Sequence, residues 1–262
     1  MTVKNITDYI EELAPLSQAE DFDNVGLLVG NNETIITGVL VTLDTLEDTI
    51  DQAILNNCNL IVSFHPIIFE GLKKLNGNTY VERVVIKAIK NDIAIYATHT
   101  ALDNSFKGVN SRIGDVLGLK NMKILIPKNL EDKQQIGMGM IGDLPTKMTE
   151  LDFLNFVKST MKTACIRHSE TLGKSIQKVA VLGGSGSFGI ENAIALNADA
   201  YISADFKYHD FFKAEKKILL ADIGHYESEQ FTKNLLVEYL TKKFTNFAII
   251  LSEKSTNPIY HI

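Results

Sequence analysis

Leu60-Ile61-Val62-Ser63-Phe64-His65-Pro66 is a short, unbroken apolar run that gives way at once to a polar exit. A run of this length, apolar on both faces, is the pattern of a strand covered on either side, as parallel sheets require. Working outward, the pattern repeats. Residues 35–43 are β-branched and read as a strand, and residues 45–56 read as a helix with Leu46, Ile50, Ala53 and Ile54 inward. Downstream come a helix over 81–90, a strand over 93–97, a helix over 109–117 and a strand over 123–126. Upstream, Ile6, Tyr9, Ile10 and Leu13 keep a helical period behind Asn5 as N-cap. The polar turn of Asp23-Asn24-Val25-Gly26 then feeds an apolar stretch.

After Pro127 the sequence turns polar through residue 133, and the lobe boundary is expected there. The second half resumes with a strand over 136–141, a helix over 151–161 and strands over 164–167 and 179–182. A helix over 190–196 and strands over 200–203 and 218–221 follow. A long amphipathic helix over 226–244, with Phe231, Leu235, Leu236, Tyr239 and Leu240 inward, precedes a last strand over 247–251. Strands alternating with helices predict an α/β fold with mostly parallel sheets. The expected lobes are 1–127, joined by 245–262, and 128–244.

Composition narrows the chemistry. With 45% hydrophobic residues and a net charge of −6 over 262 residues, the chain can bury a core and is not disordered. Cys58 and Cys165 are too few for a disulfide framework or a thiolate zinc site, which fits a reducing cytoplasm. With six histidines, any metal site must be built from imidazole and carboxylate. The N-terminal residues Lys4, Asp8, Glu11 and Glu12 do not form a secretory leader. The best apolar candidate, 60–69, falls short of the roughly 18 residues of a membrane span and contains Ser63, His65 and Pro66. An isoelectric point near 5.6 argues against a dedicated nucleic-acid binder.

In open α/β sheets ligand sites form at the carboxyl ends of strands. Three strand ends carry the chemistry here: Ser63-Phe64-His65-Pro66, Thr98-His99-Thr100-Ala101-Leu102-Asp103, and Asp222-Ile223-Gly224-His225 with Glu229. His225 and Glu229, spaced i, i+4, share one helix face and form half of a divalent-cation site. The competing reading is that Glu227 and Glu229 complement a helix dipole. Pro66 holds His65 extended, as a ligand needs, although a half-buried histidine donating to a carbonyl gives the same pattern. Asp103 reads as a ligand or as a turn cap before Gly108. His99 reads as a ligand, a donor behind a ligand, or a general acid–base group. His168 and His261 read as surface residues. Gly183-Gly184-Ser185-Gly186-Ser187 has the composition of a phosphate cradle or of a tight strand–helix turn, but matches no nucleotide fingerprint.

These motifs together resemble the NIF-three-like proteins, often labelled GTP cyclohydrolase I type 2 homologues. The resemblance spans nearly the whole chain: Asp23-Asn24-Val25-Gly26-Leu27, His65-Pro66, His99-Thr100-Ala101-Leu102-Asp103, the glycine–serine segment from Gly183, Asp199-Ala200-Tyr201-Ile202, Asp205-Phe206-Lys207-Tyr208-His209-Asp210, and Asp222-Ile223-Gly224-His225 with Glu229. It implies a two-lobed α/β fold without the inserted middle domain of some relatives, a toroidal homohexamer, and a dinuclear divalent-metal site. Carried over by position, the metal ligands are His65, Asp103, His225 and Glu229. The family has two adjacent histidines before the proline, and here the first is Phe64. A phenyl ring cannot ligate, which leaves a weakly held second ion, substitution by His99, or a mononuclear site.

Two functions are compatible with this reading. One is a metal-dependent hydrolase of a purine nucleotide, in which water attacks C8 of GTP and formate is released. His99 and His209 would then transfer protons, and Gly183, Gly184, Ser185 and Gly186 would receive phosphate. The other is a non-catalytic hexameric metal- or ligand-binding protein with a regulatory or scaffolding partner. Zinc, iron, manganese and nickel all suit the ligand set, at one or two ions per chain.

Overall fold

The computed structural model describes residues 1–128 and 136–262. In chain order the elements begin with α1 (Val3–Leu13), β1 (Gly26–Val29), β2 (Val39–Thr42), α2 (Glu47–Leu55), β3 (Leu60–Ser63), α3 (Tyr80–Lys90), β4 (Ala94–Ala97) and α4 (His99–Asp103). Next come α5 (Val109–Val116), β5 (Lys120–Pro127), β6 (Gly137–Thr149), α6 (Glu150–Thr160), β7 (Arg167–His168) and β8 (Ser175–Ser185). The chain continues through α7 (Ile190–Ala195), β9 (Ala200–Ala204), β10 (Leu219–Asp222), α8 (His225–Glu229), α9 (Thr232–Lys243) and β11 (Ile249–Leu251). Two compact units result: Met1–Leu102 with Thr232–Thr256, and Asp103–Phe231 with Asn257–Ile262.

In the first unit every residue of β2, β3 and β4 is buried, as their unbroken apolar sequences demand. Strand order is β1-β4-β3-β2-β11, parallel except for β1 against β4. Leu40, Ile61 and Ile95 pack with Ile50 and Ala53 of α2 and with Val84, Val85 and Ala88 of α3. Truncating a side chain such as Ile61, which is wholly buried, costs about 2–5 kcal/mol. Thr79 starts α3 by accepting a hydrogen bond from the Glu82 amide.

The second unit holds the order β5-β6-β8-β9-β10-β7. Only β8, β9 and β10 run parallel, while β5 against β6, β6 against β8 and β10 against β7 are antiparallel. The expectation of mostly parallel sheets therefore describes the first unit and only the centre of the second. Residues 136–178 build β6, α6, β7 and the start of β8, so they belong to this sheet and form no inserted domain.

The units part at Leu102 and Asp103, not at Pro127. α5 and β5 join the second unit because Val109 and Ile113 reach Gly183 of β8 and β5 pairs with β6. Most of the polar stretch expected as the boundary, 129–133, lies outside the described residues. The expected helix over 226–244 is two helices. Its apolar stripe serves two cores: Phe231 lies under Lys162 of the second unit, whereas Leu236 and Leu240 are wholly buried in the first. Tyr239 of α9 stacks on Tyr9 of α1 with ring centroids 4.4 Å apart. Among the described residues no helix is long and apolar enough to cross a membrane.

Candidate metal centre

Entry into α8 sets the site of the second unit. Asp222, at the end of β10, accepts from the amides of Gly224 at 3.1 Å and Phe206 at 2.9 Å and pairs with Arg167. Gly224 turns the chain at φ 92°, a left-handed conformation that favours glycine, and α8 begins at His225. One helical turn later the buried Glu229 places Oε2 3.2 Å from His225 Nε2. The i, i+4 spacing thus delivers the juxtaposition expected of it. Glu227 does something different, accepting from Asn257 Nδ2 at 2.9 Å.

The other side of the His225 ring meets Asp205, with Nδ1 to Oδ2 at 2.7 Å. Asp205 follows β9 in a left-handed conformation (φ 58°) and also accepts from Ser185 Oγ. The His225 hydrogen bond holds the Asp205 carboxyl down at about 2 against burial. Burial works against a charged His225, yet the bonds to Asp205 and Glu229 outweigh it and raise the imidazole to about 11. These bonds favour the charged imidazole at neutral pH, with Nε2 facing Glu229.

Gly183, Gly184 and Ser185 lie in β8, and only Gly186 is beyond it. The phosphate-cradle reading is corrected by their bonding. Gly183 N–H donates to Asn110 Oδ1 and Gly184 N–H to Ser228 Oγ, both at 2.9 Å, so neither N–H is turned to an anion. A Cβ at Gly184 would collide with Glu229 Oε1 and come within 3.4 Å of His225 Nε2. Gly184 thus lies directly against the His225–Glu229 pair. Asn110 also donates to the carbonyl of Asp103 at 3.2 Å, tying the end of α4 to β8. Asp103 closes α4 instead of standing in a turn, with its side chain half-buried.

The first unit brings His65, His99 and Phe64 together. His65 Nδ1 meets Asp44 Oδ1 at 2.7 Å, a carboxylate where the bland reading expected a carbonyl. Thr256 Oγ1 donates to the same Asp44. His99 Nδ1 meets Asp23 Oδ1, also at 2.7 Å, and its own φ of 27° is unusual outside glycine. The His65 and His99 ring centroids are 5.4 Å apart. Phe64, wholly buried, packs on both, at 4.9 Å from His65 and 5.6 Å from His99.

His209 is exposed, in the 3-10 helix Tyr208–Ala214, with its ring against Tyr208 and Phe212. His168 and His261 are exposed, as expected. Sequence reasoning gave no site role to Asp44, Asp23 or Asp205. Asp44 and Asp205 were visible as polar residues just beyond a strand. Asp23 and Asp205 also stood in motifs of the family resemblance, with nothing to say which histidine each would meet.

An ionised carboxylate only accepts, so each of these imidazoles bonded through Nδ1–H has Nε2 left for a cation or a proton. This carboxylate–histidine arrangement is what orients metal-binding imidazoles. The donor set fits a divalent cation: imidazole nitrogen beside a buried carboxylate, with Gly184 against both. Both cysteines are free thiols; burial pushes the Cys58 thiol up, and Cys165 is exposed.

A family model described as Duf34/NIF3 (NGG1p interacting factor 3) matches residues 1–258. A Clostridium acetobutylicum protein named GTP cyclohydrolase 1 type 2 homolog is 34% identical over 265 residues, covering 98% of each chain. A Clostridium perfringens protein of the same name is 36% identical over 232 residues, covering 87% of each. The crystal structure of a Staphylococcus aureus hypothetical protein superposes with a TM-score of 0.94 at 29% identity, over 100% of this chain and 99% of that one.

Proposed function

This chain belongs to the Duf34/NIF3 family, and we propose that it is a divalent-metal protein that hydrolyses a purine nucleotide, with His65, Asp103, His225 and Glu229 as ligands. The observation that carries the reading is the buried Glu229 carboxylate at 3.2 Å from an imidazole held from behind by Asp205. A cation held there supplies a water acidified toward roughly neutral pH. The chain's own groups do the rest. Asp205 and Asp44 keep His225 and His65 in the tautomer that presents Nε2, and His99 carries protons at its own Nε2. The names of the relatives point to GTP as the first substrate to try, with attack at C8, one water opening the imidazole ring and a second releasing formate. His209 has no role in this scheme. A toroidal homohexamer and a cytoplasmic setting complete the reading and rest on the sequence resemblance and on the two free cysteines.

The test is formate release from GTP by purified protein loaded with manganese, iron or zinc. Turnover that stops on chelation supports the reading, and a fully loaded but inert protein contradicts it. Phe64 favours a second reading, a metal-binding protein without turnover. Its phenyl ring occupies buried space against both His65 and His99, where the resemblance expects a ligand.

A further inference from the structure

Phe22 and Phe69 stand in solvent, 68% and 49% exposed, although burial of a phenyl ring is favourable. Their ring centroids are 6.4 Å apart and their planes are inclined at 57°. Phe69 meets the His99 ring edge-on at 6.2 Å, and His99 in turn meets the buried Phe64 at 5.6 Å. Ring contacts thus run outward from the core, through His99, to two phenyls in water.

Neither phenyl sits on a loose segment. Asn24 Nδ2 donates to the Ile68 carbonyl at 2.6 Å, which ties the turn carrying Phe22 to the loop carrying Phe69. Next to Phe22, the wholly buried Asp23 side chain accepts from the Thr100 amide at 3.0 Å and from His99 Nδ1 at 2.7 Å. The Glu20 amide donates to Thr100 Oγ1 at 2.9 Å, so the turn is fastened on both sides of Phe22. Ahead of Phe69, Ile67 is buried and Ile68 packs on the same core. Two apolar rings held in water at a fixed distance from an imidazole are what a recognition surface requires.

The geometry points to Phe22 and Phe69 as the corner that seats the substrate's base beside His99 and His65. Aromatic rings attract one another offset-stacked or edge to face, at centroid separations of about 4.5–7 Å. Two phenyls inclined at 57° offer a flat ring one face to stack on and a second ring to meet at its edge. A phenyl carries no hydrogen-bonding group, so the pair selects for a flat aromatic ring and not for one particular base. The identity of that ring, a purine, rests on the hydrolase reading above.

Binding of the base tests this without turnover. The chain has no tryptophan, so Phe22→Trp places a single fluorescent reporter at the corner. In the zinc-loaded full chain GMP is expected to quench its emission, whereas ribose phosphate, which lacks the base, should leave it unchanged. By calorimetry, Phe22→Ala and Phe69→Ala should each weaken GMP binding about tenfold. Phe69→Tyr should stay close to the wild type, and zinc content should not change in any variant. Should Phe69→Ala not fold, Phe22→Ala, at the more exposed ring, carries the same test. Equal binding of the two probes by the wild type overturns the inference, as do unmoved affinity in the folded alanine variants and a loss that follows zinc content. A changed oligomeric state in Phe22→Ala at unchanged affinity also overturns it, and assigns the rings to a second copy of the chain. Base-dependent binding without formate release overturns the hydrolase reading alone. Formate release from GTP with one KM in the wild type and both alanine variants overturns the base corner alone.

Discussion

His225 Nδ1 lies 2.7 Å from Asp205 Oδ2 while its Nε2 lies 3.2 Å from Glu229 Oε2, so one ring bridges two carboxylates. A bare site with these charges is stabilised by a proton, and a divalent cation must displace it. The same 2.7 Å contact at Nδ1 recurs at His65 with Asp44 and at His99 with Asp23. The chain backs its strand-end imidazoles with carboxylates as a rule.

Metal binding should therefore release a proton. His225, raised from 6.5 to about 11, is charged at neutral pH in the metal-free protein. Its contribution to stability is fully present below pH 6.5 and is lost as pH rises through 11. Zinc affinity is expected to strengthen about tenfold per pH unit between roughly pH 6 and 8, with about one proton released per His225 site. Calorimetry in buffers of different ionisation enthalpy measures both, and His225→Gln should abolish the His225 proton.

Gly184→Ala should damage fold and site together. A methyl group there meets Glu229 Oε1 in a backbone at φ 68°, so about 2–4 kcal/mol of stability should be lost. Metal content should fall with it. Gly173→Ala is the control, since φ is 69° there but nothing stands within 4 Å of the added carbon. Denaturant midpoints of the two variants separate strain from collision.

Acid sensitivity should change in Asp23→Asn. Hydrogen bonds from His99 and Thr100 overcome burial and hold Asp23 at about 2, below its ordinary 3.8. Its stabilisation is present above pH 3.8 and is lost as pH falls through 2. The variant is expected to be less stable at neutral pH and to lose less on acidification from pH 5 to 2, as urea midpoints across that range will show.

Phe64→His should raise metal content if Phe64 stands at a ligand position. About one further ion per chain is expected by elemental analysis, at the cost of some core packing around a residue that is wholly buried. Unchanged metal content would place Phe64 outside the ligand set.

Much of this was legible because periodicity and burial go together. The apolar runs at Leu60–Ser63 and Ala94–Ala97 could only be covered strands, and covered strands put His65 and His99 at their carboxyl ends. His225 and Glu229 were legible from helical spacing. Asp205 and Asp23 were not, because each reaches its histidine across 20 or 76 residues of chain, a distance that local patterns do not encode. Gly183 and Gly184 misled for a related reason. Their small size serves close approach to Glu229 and His225, and composition alone does not distinguish that from room for a phosphate. The lobe boundary was misplaced because a polar stretch marks a loop, whereas a unit is marked by which core Val109 and Ile113 enter.

The most direct test of the account is anomalous diffraction from crystals soaked in zinc or manganese. The account predicts a peak within about 2.0–2.2 Å of His225 Nε2 and of a Glu229 carboxylate oxygen, absent in crystals of His225→Gln. A peak elsewhere, or none at full metal concentration, would contradict it.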